Sequence, residues 1–213
     1  LEILNNLKKN LDEAKKLHQN GDLVSAINIY LKIINAEKNN PEVNFYLGTA
    51  YLQSKAYKNS IKYLEKSLKN RSSNPMIYNN LGIAFKEIHE LEKAMENFNA
   101  ALKIKNDFVQ AYNNQGIVLR KLKNFDKSLK YLQKAIRLNP RYFEAYNNIG
   151  NTFKDLGNKS EALNNYKKAI ELNPKYLDAY LNAGMTYEDL KQYNDAKKKY
   201  LEVLRIAKKA HIA

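Results

Sequence analysis

The sequence predicts an all-α protein built from six tandem helix-turn-helix repeats, and three observations predict it. An octet that reads AYNNQGIV at 111–118 recurs as IYNNLGIA at 77–84, AYNNIGNT at 145–152 and AYLNAGMT at 179–186. Neighbouring copies are 34 residues apart, and such a fixed period is typical of stacked-repeat architectures. Each period also holds two stretches with the i, i+3, i+4, i+7 apolar spacing of a helical face, and none with the strict alternation of a strand.

This period divides nearly the whole chain without insertion or deletion. The predicted repeats are 7–40, 41–74, 75–108, 109–142, 143–176 and 177–210, after an N-terminal helix extension at 1–6. Positions within each repeat are numbered from 1 to 34. We interpret the chain as one solenoid over 1–213 with a truncated C-terminal end, because no further helix covers the stacking face of the last repeat.

Glycine and proline indicate where the helices begin and end. All seven glycines fall at positions 8 and 15, and all four prolines at positions 1 and 32. Proline is tolerated in the first turn of a helix and just beyond its end, and glycine at position 15 suits a residue that leaves a helix with φ > 0. The sequence therefore predicts helix A at about positions 2–14 and helix B at about 18–31. The first helix is expected over residues 2–19, and the last is expected to run to Ala210.

Small residues predict where helices A and B approach each other. Position 8 is Gly or Ala, and position 20 is Ala or Ser, in every repeat. Glycine within a helix costs about 1 kcal/mol relative to alanine, so its recurrence at position 8 indicates that the crossing needs the space. The expected buried faces are positions 4, 7, 8 and 11 of helix A and positions 20, 21, 24, 27 and 28 of helix B.

Composition and motifs exclude several classes of protein. No stretch approaches the ~18 consecutive apolar residues of a membrane helix, and no signal peptide is visible, so we expect a cytoplasmic protein. The chain has no cysteine and three scattered histidines, and no carboxylate pair or nucleophile–base set stands out. We expect no metal, no cofactor and no catalytic residue, while an enzyme attached elsewhere in a parent chain remains open.

The repeat pattern resembles the tetratricopeptide repeat over residues 7–210. In the fifth repeat the resemblance is carried by Tyr146, Ile149, Gly150, Phe153, Ala162, Tyr166, Ala169 and Pro174. It implies a right-handed superhelical solenoid in which helices A line the concave side. It also implies that the function is to bind a protein or peptide in that groove, as a scaffold or recognition module.

Asparagines dominate the expected groove. Position 6 holds Asn80, Asn114, Asn148 and Asn182, position 5 holds Asn79, Asn113 and Asn147, and Asn151 lies at position 9. An amide side chain can pair with both the N–H and the C=O of a peptide. The last four repeats resemble the asparagine ladder in the tetratricopeptide domain of O-linked N-acetylglucosamine transferase, which implies binding to the backbone of an extended peptide. A purely structural role is the alternative, since asparagine is frequent throughout the chain.

Aromatic and basic residues complete the candidate peptide site. Tyr46 occupies position 6 of the second repeat, and Lys86, Arg120 and Lys154 occupy position 12 of theirs. The groove positions 2, 5, 6, 9, 12 and 13 hold six basic and eight acidic residues, although the whole chain carries a formal net charge of +14. A nucleic acid in the groove is therefore disfavoured, because phosphate contacts dominate such binding.

Two alternative functions remain open at this stage. One is the substrate-recruiting N-terminal domain of a glycosyltransferase-like enzyme. The other is an adaptor that binds acidic or nucleic-acid partners through a basic convex face, which includes Lys62, Lys66, Lys130 and Lys134. Much of the positive charge also fits a compositional bias toward lysine. Self-association through the uncapped C-terminal end is a further expectation.

Overall fold

The computed structural model describes residues 2–37, 40–68 and 73–210, with side chains described for 7–37, 40–68 and 73–208. Within these ranges the chain forms twelve α-helices and no β-strand, so the predicted all-α class is confirmed. The helices are α1 (Glu2–Gln19), α2 (Leu23–Ala36), α3 (Pro41–Gln53), α4 (Tyr57–Ser67), α5 (Pro75–Glu87), α6 (Leu91–Ile104), α7 (Val109–Lys121), α8 (Phe125–Leu138), α9 (Phe143–Asp155), α10 (Lys159–Leu172), α11 (Leu177–Asp189) and α12 (Tyr193–Ala210).

The helices form two compact units. The N-terminal unit, residues 1–108, contains α1 to α6, and the C-terminal unit, residues 109–213, contains α7 to α12. In each unit every odd-numbered helix packs against the helix that follows it, and the helix pairs stack on their neighbours. We call the odd-numbered helices the A helices. The extents expected for the first and last helices are confirmed by α1 and α12.

A left-handed residue follows the end of helix A in all six repeats. Gly21 and Gly157 have φ of 84° and 82°. The other four repeats place a non-glycine residue at the same position 15: Lys55 (61°), His89 (65°), Lys123 (57°) and Lys191 (60°). The turn after helix A is therefore fixed by the repeat as a whole, and glycine relieves its strain in only two copies.

Glycine at position 8 makes room for the side chain at position 24 of helix B. A Cβ atom added at Gly82 would lie 2.5 Å from Cε1 of Phe98, and one added at Gly150 would lie 2.5 Å from Cε1 of Tyr166. The same atom at Gly150 would lie 3.1 Å from the carbonyl oxygen of Ala162, at position 20. The close approach predicted from the small residues is confirmed.

The buried face of helix A is wider than the sequence pattern predicted. Position 3, which lay outside the expected face, is at most 3% exposed in the last five repeats: Val43, Ile77, Ala111, Ala145 and Ala179. Position 10 is likewise buried, whereas the position 4 tyrosines Tyr78, Tyr112 and Tyr146 keep some exposure. The difference arises because an A helix packs against its own helix B and also against the neighbouring pair.

Two expectations concern the membrane and the C-terminal end. Among the described residues, none of the helices combines the length and the apolar character needed to cross a bilayer. The end at which self-association was expected includes residues 211–213, which lie outside the described residues.

Candidate functional site

The asparagines of the C-terminal unit bond to each other across neighbouring A helices. Asn148 on α9 donates from Nδ2 to Oδ1 of Asn113 on α7, at 2.9 Å. Asn182 on α11 donates in the same way to Oδ1 of Asn147 on α9, also at 2.9 Å. The asparagine at position 6 of one repeat thus donates to the asparagine at position 5 of the repeat before it. The second bond lies 34 residues after the first, which is also the spacing of the sequence motif.

Of the asparagines at positions 5 and 6, only Asn148 and Asn182 keep partial exposure, and the others are buried. The position 5 residues Asn79, Asn113 and Asn147 are buried, with 3–6% exposure. The expectation that they face the groove beside position 6 is corrected here, because position 5 lies against the neighbouring A helix. At position 6, Asn148 and Asn182 are partly exposed, whereas Asn80 and Asn114 are 7% and 8% exposed.

The remaining predicted amide contacts are tied to the fold. Asn80 donates from Nδ2 to Oγ1 of Thr49, at 3.2 Å, within the N-terminal unit. Asn151 accepts a hydrogen bond from the hydroxyl of the buried Tyr166, at 2.8 Å. The Asn80 bond therefore joins two A helices, whereas the Asn151 bond joins α9 to its own helix B, α10.

The predicted basic residues are each paired with a carboxylate. Arg120 lies 2.7 Å from Asp155 and Lys154 lies 3.4 Å from Asp189, so position 12 pairs with position 13 of the next repeat. Lys86 lies 2.9 Å from Glu87. Surface pairs of this kind contribute about 0–1 kcal/mol each. Their main effect is to leave the surface of the A helices with compensated charge.

Tyr46 lies in a pocket of the N-terminal unit, which we call the Tyr46 pocket. Its volume is about 560 Å³, and it is lined by Lys15, His18, Gln19, Gly21, Tyr30, Phe45, Tyr46, Thr49, Gln53 and Met76. The Tyr46 ring stacks on Tyr30 with centroids 6.1 Å apart and planes 12° apart. The Lys15 ammonium lies 4.7 Å from the centre of the Tyr46 ring and 2.6 Å from Glu42.

His18 sits on the wall of this pocket in its neutral form. Its Nε2 lies 3.0 Å from Oε1 of Gln53, which accepts from it, and its Nδ1 lies 3.4 Å from the Tyr30 hydroxyl oxygen. Burial lowers the pKa of His18 below its usual value, and the bond to Gln53 opposes this only in part.

Of the residues that line this pocket, the sequence pattern predicted only Tyr46 as a site residue. His18, Gln53 and Met76 occupy positions 12, 13 and 2 of three different repeats, and all three are groove positions of the predicted array. Their positions in the repeat are the available signal, but the repeat pattern does not mark these residues, because their types do not recur from one repeat to the next.

Basic residues also surround a second, smaller pocket on the C-terminal unit. Lys130, Lys134 and Arg137 on α8 are exposed and line a cavity of about 240 Å³ together with Tyr112 and Tyr131. In the N-terminal unit, the corresponding Lys62 and Lys66 ammonium groups lie 5.4 and 5.2 Å from the centre of the Tyr63 ring.

In the part of the chain that the structure describes, acidic residues and histidines do not cluster in a way that could hold a metal ion.

Comparisons with known proteins agree with the architecture. Four family models, each described as a tetratricopeptide repeat, match residues 11–75, 77–108, 107–175 and 165–198. No curated protein sequence matches the chain significantly.

Solved structures with the same fold include three informative examples. A crystal structure of MamA has 28% sequence identity to this chain and a TM-score of 0.65. The match covers 76% of this chain and 95% of the MamA chain. TTC0263, a thermophilic TPR protein in Thermus thermophilus, has 19% sequence identity to this chain and a TM-score of 0.72. The match covers 84% of this chain and 98% of the TTC0263 chain. A chain of the APC/C hetero-tetramer Cut9-Hcn1 has 13% sequence identity to this chain and a TM-score of 0.82. The match covers 94% of this chain and 40% of that one. This chain therefore belongs to the tetratricopeptide repeat family, whose members serve as protein-interaction scaffolds.

Proposed function

We propose that this chain binds an extended segment of a partner protein along its A helices, and that the position 6 asparagines pair with the main chain of that segment. The proposal is supported chiefly by the two equal bonds, 2.9 Å long, from Asn148 to Asn113 and from Asn182 to Asn147. Tetratricopeptide repeats are typically non-catalytic scaffolds with protein partners, so a peptide is the natural ligand class for this surface.

The chemistry of the amide suits a peptide main chain. A carboxamide has two N–H donors and one acceptor oxygen. Asn148 spends one N–H on Asn113, which leaves one N–H and its Oδ1 to pair with a C=O and an N–H of a peptide. Because the internal bond already fixes the orientation of the side chain, less conformational entropy is lost when the peptide binds.

The repeat spacing suits an extended chain. Packed helices lie about 8–10 Å apart, and three residues of extended peptide span about 10 Å. Asn148 and Asn182, the partly exposed position 6 amides of successive repeats in the C-terminal unit, would then meet the partner about three residues apart. Each such bond contributes about 0.5–1.5 kcal/mol, so binding by the amides alone would be modest in affinity and tolerant of sequence.

A peptide array tests this mechanism. Binding of the intact chain to a set of unrelated 12-residue peptides would be compared with binding of the double variant Asn148→Ala plus Asn182→Ala. The expected result is a loss of about tenfold, the equivalent of about 1.4 kcal/mol, that is similar for every peptide that binds. Uniformity is the decisive feature, because the main chain is common to all of them.

The matched control changes two asparagines outside the proposed contact. Asn164 on α10 and Asn194 on α12 are exposed and belong to helices B of the same unit. Their double alanine variant is expected to bind like the unmodified chain. If the Asn148 and Asn182 variant also kept its affinity for every peptide, the amides would be structural braces and the proposed mechanism would be wrong.

A further inference from the structure

The Tyr46 pocket differs from the rest of the A-helix surface because its floor is aromatic. Tyr30 is fully buried beneath Tyr46, and the Phe45 ring packs against Tyr46 with centroids 5.3 Å apart. Met76 stands at the rim with half of its surface, 50%, exposed. A thioether is flexible and packs favourably against aromatic rings. This apolar surface is open to water, and covering it with a ligand lowers the free energy of the system.

The charges in this pocket are already compensated. Among the lining residues only Lys15 and His18 can carry a charge. Lys15 is paired with Glu42 at 2.6 Å, and burial lowers the pKa of His18, which favours its neutral form. A charged ligand group would lose its hydration here without gaining an unpaired opposite charge. Complementarity therefore favours an uncharged, apolar occupant.

The pocket adjoins the amide series of the N-terminal unit. Thr49, in its wall, accepts a hydrogen bond from Nδ2 of Asn80 at 3.2 Å. Asn80 is the position 6 asparagine of the third repeat, so a main chain that pairs with it passes beside the pocket. The Gln53 amide uses its oxygen to accept from His18, and its NH₂ group can donate to a passing carbonyl. The volume of about 560 Å³ lies within the usual range for ligand clefts, roughly 300–1,000 Å³.

We infer that the Tyr46 pocket binds one uncharged apolar side chain, aromatic by preference, of the peptide that lies along the A helices. The inference rests on the proposed function, because it assumes that the ligand of this surface is an extended peptide. It gives the N-terminal unit a side-chain selectivity that amide contacts with a main chain do not provide. The residues that carry this selectivity are Tyr46, Phe45 and Met76.

Synthetic peptides that differ at one residue test the inference. The probes are 12-residue peptides of Gly, Ser and Thr with a central Phe, and matched peptides with Leu, Gly, Asp or Lys in its place. Affinity for the intact chain would be measured by fluorescence anisotropy, and the Met76 methyl group would be followed by NMR. We expect the Phe peptide to bind about tenfold more tightly than the Gly peptide, as is usual for a packed aromatic anchor. The Asp and Lys peptides should gain nothing over Gly.

Two variants and a matched control assign the preference to the pocket. Tyr46→Ala and Met76→Ser should each reduce the ratio of Phe to Gly affinity by about fivefold, the effect of losing one anchor contact. Met76 is half exposed, so its variant is expected to fold even if Tyr46→Ala does not. Met185→Ser is the control, because Met185 is 41% exposed on α11 of the other unit, and it should leave the ratio unchanged.

The outcomes separate this inference from the proposed function. A Phe to Gly ratio near one, a ratio that survives Met76→Ser, or tighter binding of the Asp or Lys peptide would overturn the pocket assignment. If the ratio falls in the pocket variants while Asn148→Ala plus Asn182→Ala changes nothing, the pocket stands and the amide mechanism fails. If the asparagine variant weakens every peptide equally and the pocket variants leave the ratio intact, the pocket assignment fails alone.

Discussion

In the N-terminal unit Gly82 lies against Phe98, and in the C-terminal unit Gly150 lies against Tyr166 in the same way. The surfaces of the A helices correspond in position but differ in chemistry: His18 bonds to Gln53 in the N-terminal unit, where Arg120 pairs with Asp155 in the C-terminal unit. In the C-terminal unit asparagine pairs and ion pairs join successive repeats, whereas the N-terminal unit has the Tyr46 pocket. The contact between helices A and B leaves little freedom because a position 24 side chain fills the space above each position 8 glycine. The A-helix surface is not constrained by that contact and is free to differ between the two units.

The two units also differ at one buried polar position. Ser60 and Ser128 both occupy position 20 of their repeats and both are fully buried. The Ser128 hydroxyl donates to the carbonyl oxygen of Gly116 at 2.8 Å and lies 3.1 Å from Oγ1 of Thr152. Within the described residues, the Ser60 hydroxyl oxygen has no hydrogen-bond partner. The same residue at the same position is therefore a bonded bridge in one unit and a desolvated group in the other.

The largest effect on the free energy of unfolding is expected at the contact between the position 8 glycine and the position 24 ring, which both units share. Gly82→Ala and Gly150→Ala should each lower the free energy of unfolding by about 2 kcal/mol, because overpacking costs about 1–3 kcal/mol and the gain in helix propensity offsets only part of it. The loss should be similar in the two units. Denaturant unfolding measures the total, and native-state hydrogen exchange of α5 and α9 localises it.

A double-mutant cycle provides the control for this prediction. In a Phe98→Ala or Tyr166→Ala background the added methyl group has space, so the glycine substitution should cost far less there. A glycine variant that costs the same in both backgrounds would show that the position 24 ring is not what requires glycine. A large loss in one unit and none in the other would contradict the equivalence of the two contacts.

Substitution of the position 20 serines should change the unfolding free energy differently in the two units, and by less than the glycine substitutions. Ser128→Ala should lower the free energy of unfolding by about 1 kcal/mol, since it removes a buried hydrogen bond. Ser60→Ala should be neutral or stabilising, because it removes a buried hydroxyl that has no partner. The two variants are controls for each other, as both change the same atom at the same repeat position. Equal losses measured by denaturant unfolding would contradict the contrast.

The repeat geometry was predictable from the sequence because it depends on contacts that recur. Gly150 and its counterparts, with their 34-residue spacing, predicted the helix pairs and the close approach at position 8. The burial of Asn113 was not predicted, since one helix read alone does not reveal that the neighbouring A helix covers position 5. The Tyr46 pocket escaped prediction for a different reason. It joins single residues, such as His18 and Met76, from different repeats, and no periodic signal marks such a set.

The smallest predicted effect concerns the bond between Asn113 and Asn148. A cycle of Asn113→Ala, Asn148→Ala and the double variant should give a coupling of about 0.5–1 kcal/mol in unfolding free energy, the usual net value of a neutral hydrogen bond. The corresponding cycle for Thr49 and Asn80, whose bond is longer at 3.2 Å, should give less. If the bond also orients Asn148 for a peptide, Asn113→Ala should weaken peptide binding although Asn113 is buried. Full peptide affinity in Asn113→Ala, together with a measured coupling, would mean that the bond stabilises the stack and does not prepare the amide for a ligand.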